Sequence, residues 1–446
     1  MSVKKLLRNG LRYWRAFGTR TLLQELQRRL TTPMPPGMMP TALPAPDAPH
    51  ARPGAAQPAQ AMINARFAQA APLSVFVVPR TGRPRINIVT DSINKGSLFG
   101  GVGTSMILAA LLVRQRGARL RVITRTEPAQ TANLHNVLTL YGLSIDDEVE
   151  FAFAHVHAPQ AAVNIFPDEL FITTSWWTTE STLASIHASR VLYVLQEDER
   201  MFYPAGDDQL RCQRTLMNSA MQVVVNTQGL LDHLISSGLP HLSRNARAFE
   251  PAFPTTVYRP RSKPAGHRHR LMFYARPNHL RNLFYFGLEV IDQALAQGVI
   301  DPAMWEIHFV GAHIPAITLC DGSTPVCHEQ LSWPDYAALA GTVDVALSLM
   351  FTPHPSYPPL DLAASGAVVV SNRHGNKQDL SNYCGNILLA DLNLPSMLAT
   401  LRDALALAMD TGERQRRFDA RRMQTDWSVA FTPVIQHYSS RPDVWA

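Results

Sequence analysis

Short apolar runs of the kind that form strands buried on both faces recur along this chain, separated by stretches of helical periodicity, and they come in two series. INIVTD (86–91), RVIT (121–124), LFITTSW (170–176), RVLYVLQ (190–196) and MQVVVN (221–226) make the first. A proline-rich stretch over 251–264 follows, and then RLMFYAR (270–276), WEIHFVGA (305–312), DVALSLM (344–350) and AVVVSN (367–372) make the second. Runs without polar alternation need cover on both sheet faces, so the strands should be parallel and the crossovers helical. The pattern predicts two doubly wound α/β domains, 73–255 and 256–430, with helices over 104–116, 282–297, 394–409 and 413–423.

A chain of 446 residues is too long for one ordinary core, and 46% apolar against 17% charged residues supplies enough for two. The net charge of +6 is local: residues 1–30 hold eight basic residues and one acid, and the remainder is close to neutral. A broad nucleic-acid-binding face is therefore not expected. Within 1–30 the apolar residues Leu7, Leu11, Trp14, Leu22, Leu23, Leu26 and Leu30 fall at helical spacing among arginines. Such a basic amphipathic helix suits an anionic membrane surface or a protein partner equally well. Nine of the 33 prolines lie between 31 and 60, so 31–72 reads as a Pro/Ala-rich, disordered linker. Cys212, Cys320, Cys327 and Cys384 make no disulfide framework, and no signal peptide or membrane-spanning run is evident. The expected compartment is the cytoplasm, with peripheral contact to the inner face of its membrane through 1–30 as one reading.

Three segments carry the chemistry. GSLFGGVG (96–103) lies between a strand and a helix, where the amides around Gly100, Gly101 and Gly103 can face an anion or let a substrate approach the backbone. It lacks the GxGxxG order, and the second strand ends in Thr124-Arg125 where a dinucleotide site wants an acid, which counts against NAD. ARPNHLRN (275–282) places Arg276 and Arg281 at a strand end and helix start, where two guanidinium groups could neutralise a diphosphate. PHPSYPPLDLAASG (353–366) combines His354, Ser356, Tyr357 and Asp361 with four prolines; Asp361 is placed to accept ribose hydroxyls, and Gly366 to end the helix in a left-handed conformation.

The order ARPxxxRN followed by PSYPPLDLAASGAVVVSN resembles the C-terminal domain of family 4 glycosyltransferases. SLFGGVGTS, TTSWWTTES, LQEDERMFYPAGD, VNTQGL and FEPAF look like the WsaF-type rhamnosyltransferases, over about 85–390. That resemblance implies a GT-B architecture, two Rossmann-like domains facing a cleft, with the first binding the acceptor and the second the nucleotide-sugar donor. It implies transfer of a sugar, L-rhamnose from dTDP-L-rhamnose, to a bacterial surface glycan such as O-antigen, with retention and without a metal or other cofactor. Arg276 and Arg281 match the pair that binds the donor diphosphate, and Asp361 matches the glutamate that binds the ribose. By the same analogy the last helix, 432–438 within a terminal segment 431–446, crosses back to the first domain. Pro353 stands where the family has its first glutamate; His354, or the amides of Ser356 and Tyr357, are the candidates to replace it.

On the acceptor side, Trp176 and Trp177 could form a sugar platform or belong to the core. Glu197 and Asp198 could orient an acceptor hydroxyl or act as a base, or simply be a solvated turn. With His354 they are the catalytic candidates. Cys320, Cys327, His313 and His328 lack the spacing of a zinc site, and no metal is expected. Two rivals remain open: an NAD enzyme acting on nucleotide sugars, and a non-catalytic nucleotide-sugar or glycan-binding protein.

Overall fold

In the computed structural model the described residues are 58–94, 100–158, 161–262, 266 and 268–439; the basic helix expected over 1–30 lies outside them. The strands are β1 (Val75–Val77), β2 (Arg85–Thr90), β3 (Arg119–Thr124), β4 (Glu150–Phe153), β5 (Val163–Ile165), β6 (Leu170–Thr173), β7 (Val191–Leu195), β8 (Gln222–Asn226), β9 (Ala246–Phe249), β10 (His269–Ala275), β11 (Trp305–Gly311), β12 (Val326–Glu329), β13 (Val345–Leu347), β14 (Val368–Asn372) and β15 (Ile387–Ala390). A seven-stranded parallel sheet in the order β4-β3-β2-β6-β7-β8-β9 forms the first domain, and a six-stranded parallel sheet, β12-β11-β10-β13-β14-β15, forms the second. β1 and β5 pair as a small separate ribbon.

Each domain starts in the middle of its sheet, runs to one edge and returns to the other. The winding reverses beside the first strand, between β2 and β6 and between β10 and β13. A crevice at the carboxyl ends of the strands is the usual consequence, and it is where doubly wound sheets bind ligands. The central strands β2, β7, β8 and β14 are buried at every position, which is why they read as unbroken apolar runs. The edge strands β4 and β12 are largely half-buried or exposed and carry Glu150, Cys327 and Glu329, so the apolar-run signal passes over them.

Two expectations are corrected. The linker does not reach 72, because Ala59–Arg66 forms a helix and Ala68–Ala70 a 3₁₀ turn. Alanine favours helix wherever prolines stop interrupting. The segment is then tied down: Arg66 pairs with Asp208, Arg211 lies 4.3 Å over the Phe67 ring, and the Ala71 carbonyl accepts from Arg125 and Ser181. The helix expected over 413–423 is Thr411–Asp419, because the chain leaves it to bring Gln424 beside Ala252, where the Phe253 N–H donates to the Gln424 carbonyl at 2.7 Å.

The last helix begins earlier than expected, at Trp427, and runs to Ser439. It leaves the second domain and docks on the first: Phe431 packs on Phe249 with ring centroids 4.5 Å apart, Arg116 donates to the Tyr438 carbonyl, and the Tyr438 hydroxyl donates to the Val223 carbonyl at 3.1 Å. Tyr438→Phe leaves that buried carbonyl short of a donor and is expected to lower stability by about 1 kcal/mol. The midpoint of a urea unfolding curve measures it, and an unchanged midpoint would show that the hydroxyl does not help dock the helix.

Candidate functional site

The loops that follow the strands of the two sheets meet at one place. From the first domain come Gln196 and Glu197 after β7 and the start of the helix Gly101–Arg116 after β2; from the second come Arg281 after β10, the segment 348–357 after β13, and Lys377 after β14. Glu197 is the centre. Its Oε2 accepts from the Thr352 hydroxyl at 2.8 Å and lies 3.2 Å from Arg281 Nη1, and its Oε1 is 3.8 Å from His354 Nδ1.

Around that carboxylate the second domain presents three nitrogen-bearing side chains, Arg281, His354 and Lys377. Arg281 is set by the 3₁₀ turn Leu280–Asn282 and by the Phe202 ring 4.2 Å beneath its guanidinium, and its Nη1 is buried without a hydrogen bond. His354 is 2% exposed and its Nδ1 accepts from the Ser356 N–H at 3.0 Å. Burial pushes its pKa down to about 4 against the pull of Glu197, so at neutral pH the ring is uncharged and its proton sits on Nε2. That Nε2 is buried and unpartnered. Lys377 is 3% exposed and donates one hydrogen bond, to the Met350 carbonyl at 3.0 Å. Burial pushes its pKa down to about 8, and Glu197 opposes that shift.

The backbone of the loop is strained to make this arrangement. Ser356, buried, has φ 71° although it is not glycine, and it precedes the helix Tyr357–Ala364. Strain of this kind survives where the surroundings impose it and is common at ligand sites. Tyr357 and Asp361, four residues apart, share one face of that helix. The Tyr357 hydroxyl reaches across to Thr104 Oγ1 at 2.8 Å and to Gln196 Oε1 at 3.4 Å. Asp361 is buried opposite the hydroxyls of Tyr258 and Tyr336; burial outweighs the lowering effect of those hydroxyls and leaves its pKa raised to about 8. Protonated at neutral pH, it can both donate and accept. Gly366 has φ 94°, a conformation only glycine takes readily, and ends the helix.

The other sequence candidates are distributed differently. Arg276 is half-buried beside the cluster, 2.5 Å from His279 Nε2 and 3.5 Å from the Tyr274 hydroxyl, so the two arginines are not equivalent. Asp198 belongs to its own domain: Arg200 grips both its oxygens, at 2.7 and 2.6 Å, and His233 is 3.3 Å away. Glu199 accepts from the Trp176 N–H, and burial raises its pKa to about 8. Of the three adjacent acids, Glu197 is the one that pairs with side chains of the second domain. Trp176 is fully buried and is core; Trp177 is half-buried and its indole N–H donates to Asp91 Oδ2 at 2.7 Å. Gly100 has φ 75°, while Gly101 and Gly103 open the helix, and a Cβ at Gly101 would lie 2.7 Å from Gln196 Cγ. Lys377, Thr352, Gln196 and Asp91 escaped the sequence reading; the signal for Lys377 was its place in a turn directly after the buried run AVVVSN. Among the described residues no group of three His, Cys, Asp or Glu side chains is gathered to hold a metal, and no helix is long and apolar enough to cross a membrane.

Two Rossmann-like parallel-sheet domains whose strand-end loops converge, with the last helix returning to the first domain, define the GT-B class. HepE of Anabaena, solved with UDP-glucose, has this fold: it is 13% identical, covers 80% of this chain and all of its own, and superposes with a TM-score of 0.54. WaaG, a glycosyltransferase involved in lipopolysaccharide biosynthesis, is 11% identical over 81% of this chain and 96% of its own, with a TM-score of 0.50. The models of the WsaF N-terminal and C-terminal domains match residues 85–228 and 269–402. The chain belongs to the WsaF family. The O-antigen biosynthesis protein RfbC of Myxococcus xanthus is 28% identical over 342 residues, 76% of this chain; the chain spans about a quarter (26%) of that protein's length.

Proposed function

We propose that this chain is a glycosyltransferase that takes a sugar from a nucleoside diphosphate donor and adds it to a bacterial surface glycan or its lipid-linked precursor. The observation that carries the reading is a pair of buried, incompletely bonded donors, Arg281 Nη1 and His354 Nε2, on side chains that flank a single carboxylate from the opposite domain. Fixed donors in a water-poor cleft are what a leaving diphosphate needs as its negative charge grows. Arg281 meets that charge directly, Arg276 supports it from the margin, and the His354 N–H and the amides at Ser356 and Tyr357 take the place of the glutamate that Pro353 lacks.

Asp361, one helical turn from Tyr357, holds the ribose hydroxyls. Glu197 occupies the anion's place while the cleft is empty; with donor bound it turns to the acceptor and orients the attacking hydroxyl. Attack then comes from the face the diphosphate is leaving, the leaving phosphate oxygen takes the acceptor's proton, and configuration is retained without a metal or a covalent nucleophile. Trp177, held by Asp91, offers its ring to an acceptor sugar. The donor is dTDP-L-rhamnose in this reading, supported by membership of the WsaF family, and residues 1–30 bring the enzyme to the membrane surface where lipid-linked glycans are extended.

The test is a calorimetric comparison of wild type with Asp361→Ala against dTDP, UDP and GDP. Loss of the ribose contact should weaken the preferred nucleotide about tenfold, roughly 1.4 kcal/mol. Equal affinity in the two proteins would remove Asp361 from the donor site.

A further inference from the structure

The donor-site reading leaves one buried cation without a task. Lys377 is 3% exposed, and an ammonium has three N–H donors. Among the described residues it spends one on the Met350 carbonyl, and its only acidic neighbour is Glu197, which belongs to the other domain. Its own domain provides no counter-charge. The turn that carries it lies against the 353 position, since a Cβ on Gly375 would be 3.8 Å from Pro353 Cβ. Position 353 is proline and brings no charge to this turn. Burying an ammonium with two unfilled donors costs stability, and such a group persists where a ligand completes it. Arg281 Nη1, 3.2 Å from the same carboxylate, and His354 Nε2, on a ring whose other nitrogen is 3.8 Å from it, are also buried without a hydrogen bond, so the missing partner is an anion with several acceptor oxygens.

Building on that reading of the cleft, we propose that Lys377 binds the donor's diphosphate, as a cation that replaces Glu197 as its partner when the nucleotide enters. The geometry also gives binding a signature. With burial holding the amine's pKa near 8, part of the Lys377 population is uncharged at pH 8.5, and an arriving diphosphate pulls the proton back on. Binding at pH 8.5 then takes up a fraction of a proton, whereas at pH 6.5 Lys377 is already charged and contributes no uptake.

The experiment uses the full chain, wild type and the variants Lys377→Met and Lys377→Arg, titrated calorimetrically with dTDP, UDP and GDP at pH 8.5 in buffers of different ionisation enthalpy. Lys377→Met should weaken the nucleotide that wild type prefers by at least about tenfold while the unfolding midpoint stays level or rises, as it does when a buried charge is exchanged for an apolar chain. Lys377→Arg should retain binding but lose the proton uptake. If both variants bind as wild type does and the uptake persists, the proposal is overturned although the donor-site reading stands. If wild type itself binds none of the three nucleotides, the donor-site reading fails first, and Lys377's role with it.

Discussion

Arg281→Ala is expected to lower kcat/KM for the nucleotide-sugar donor by about 10²–10³-fold, the size of effect seen when one fixed donor to a developing anion is removed. The residue combines the two properties that make such a donor effective. It is oriented, by the 3₁₀ turn that carries it and the Phe202 ring 4.2 Å away, and its buried Nη1 has the Glu197 carboxylate, 3.2 Å away, as a partner that a diphosphate can displace. Little of the effect should come from unfolding, because the side chain anchors no core packing. Arg276→Ala should lose less, since that guanidinium is already engaged with His279 and the Tyr274 hydroxyl. Steady-state kinetics on both variants decides it; a larger loss in Arg276→Ala would reverse the assignment of the two arginines.

Glu197→Gln should separate binding from turnover. The carboxylate now balances Arg281 and Lys377, so a donor diphosphate has to displace it. Glutamine keeps the shape and the hydrogen bond from Thr352 but removes the competing charge, and nucleoside diphosphate affinity should hold or improve. Turnover should fall by about 10²-fold, because the group that orients and polarises the acceptor hydroxyl has lost its charge. Binding measured by calorimetry and turnover measured as nucleotide release give the two halves. Weaker nucleotide binding together with unimpaired turnover would mean that Glu197 is only a cleft-closing ion pair.

The interior of the fold was legible because its central strands are buried on both faces and are mainly apolar; β2 and β14 fall within two residues of where the pattern puts them. Edge strands such as β4 and β12 were not, since a strand covered on one side is free to carry charge. The helix at Ala59–Arg66 was hidden for a different reason: its fate depends on Phe67 finding Arg211, nearly 150 residues away. In the site, Arg281, His354, Tyr357 and Asp361 could be picked out because strand ends in doubly wound sheets line the crevice. The run Glu197-Asp198-Glu199 could not be resolved by the same logic. Three consecutive acids in a turn point in different directions, and only tertiary contacts with Arg200, Trp176 and Arg281 reveal which one faces the cleft. Lys377 was invisible because its significance lies in what surrounds it, a buried pocket whose only acid comes from another domain.

The central claim is that the cations gathered around Glu197 form the diphosphate site of a sugar-nucleotide donor. A calorimetric titration of the full chain with dTDP, UDP and GDP, repeated on Arg281→Ala, tests it most directly. Saturable binding of at least one nucleotide by wild type, lost or weakened at least about tenfold in Arg281→Ala, is the result the account predicts. No binding of any of the three, or equal binding by both proteins, would contradict it.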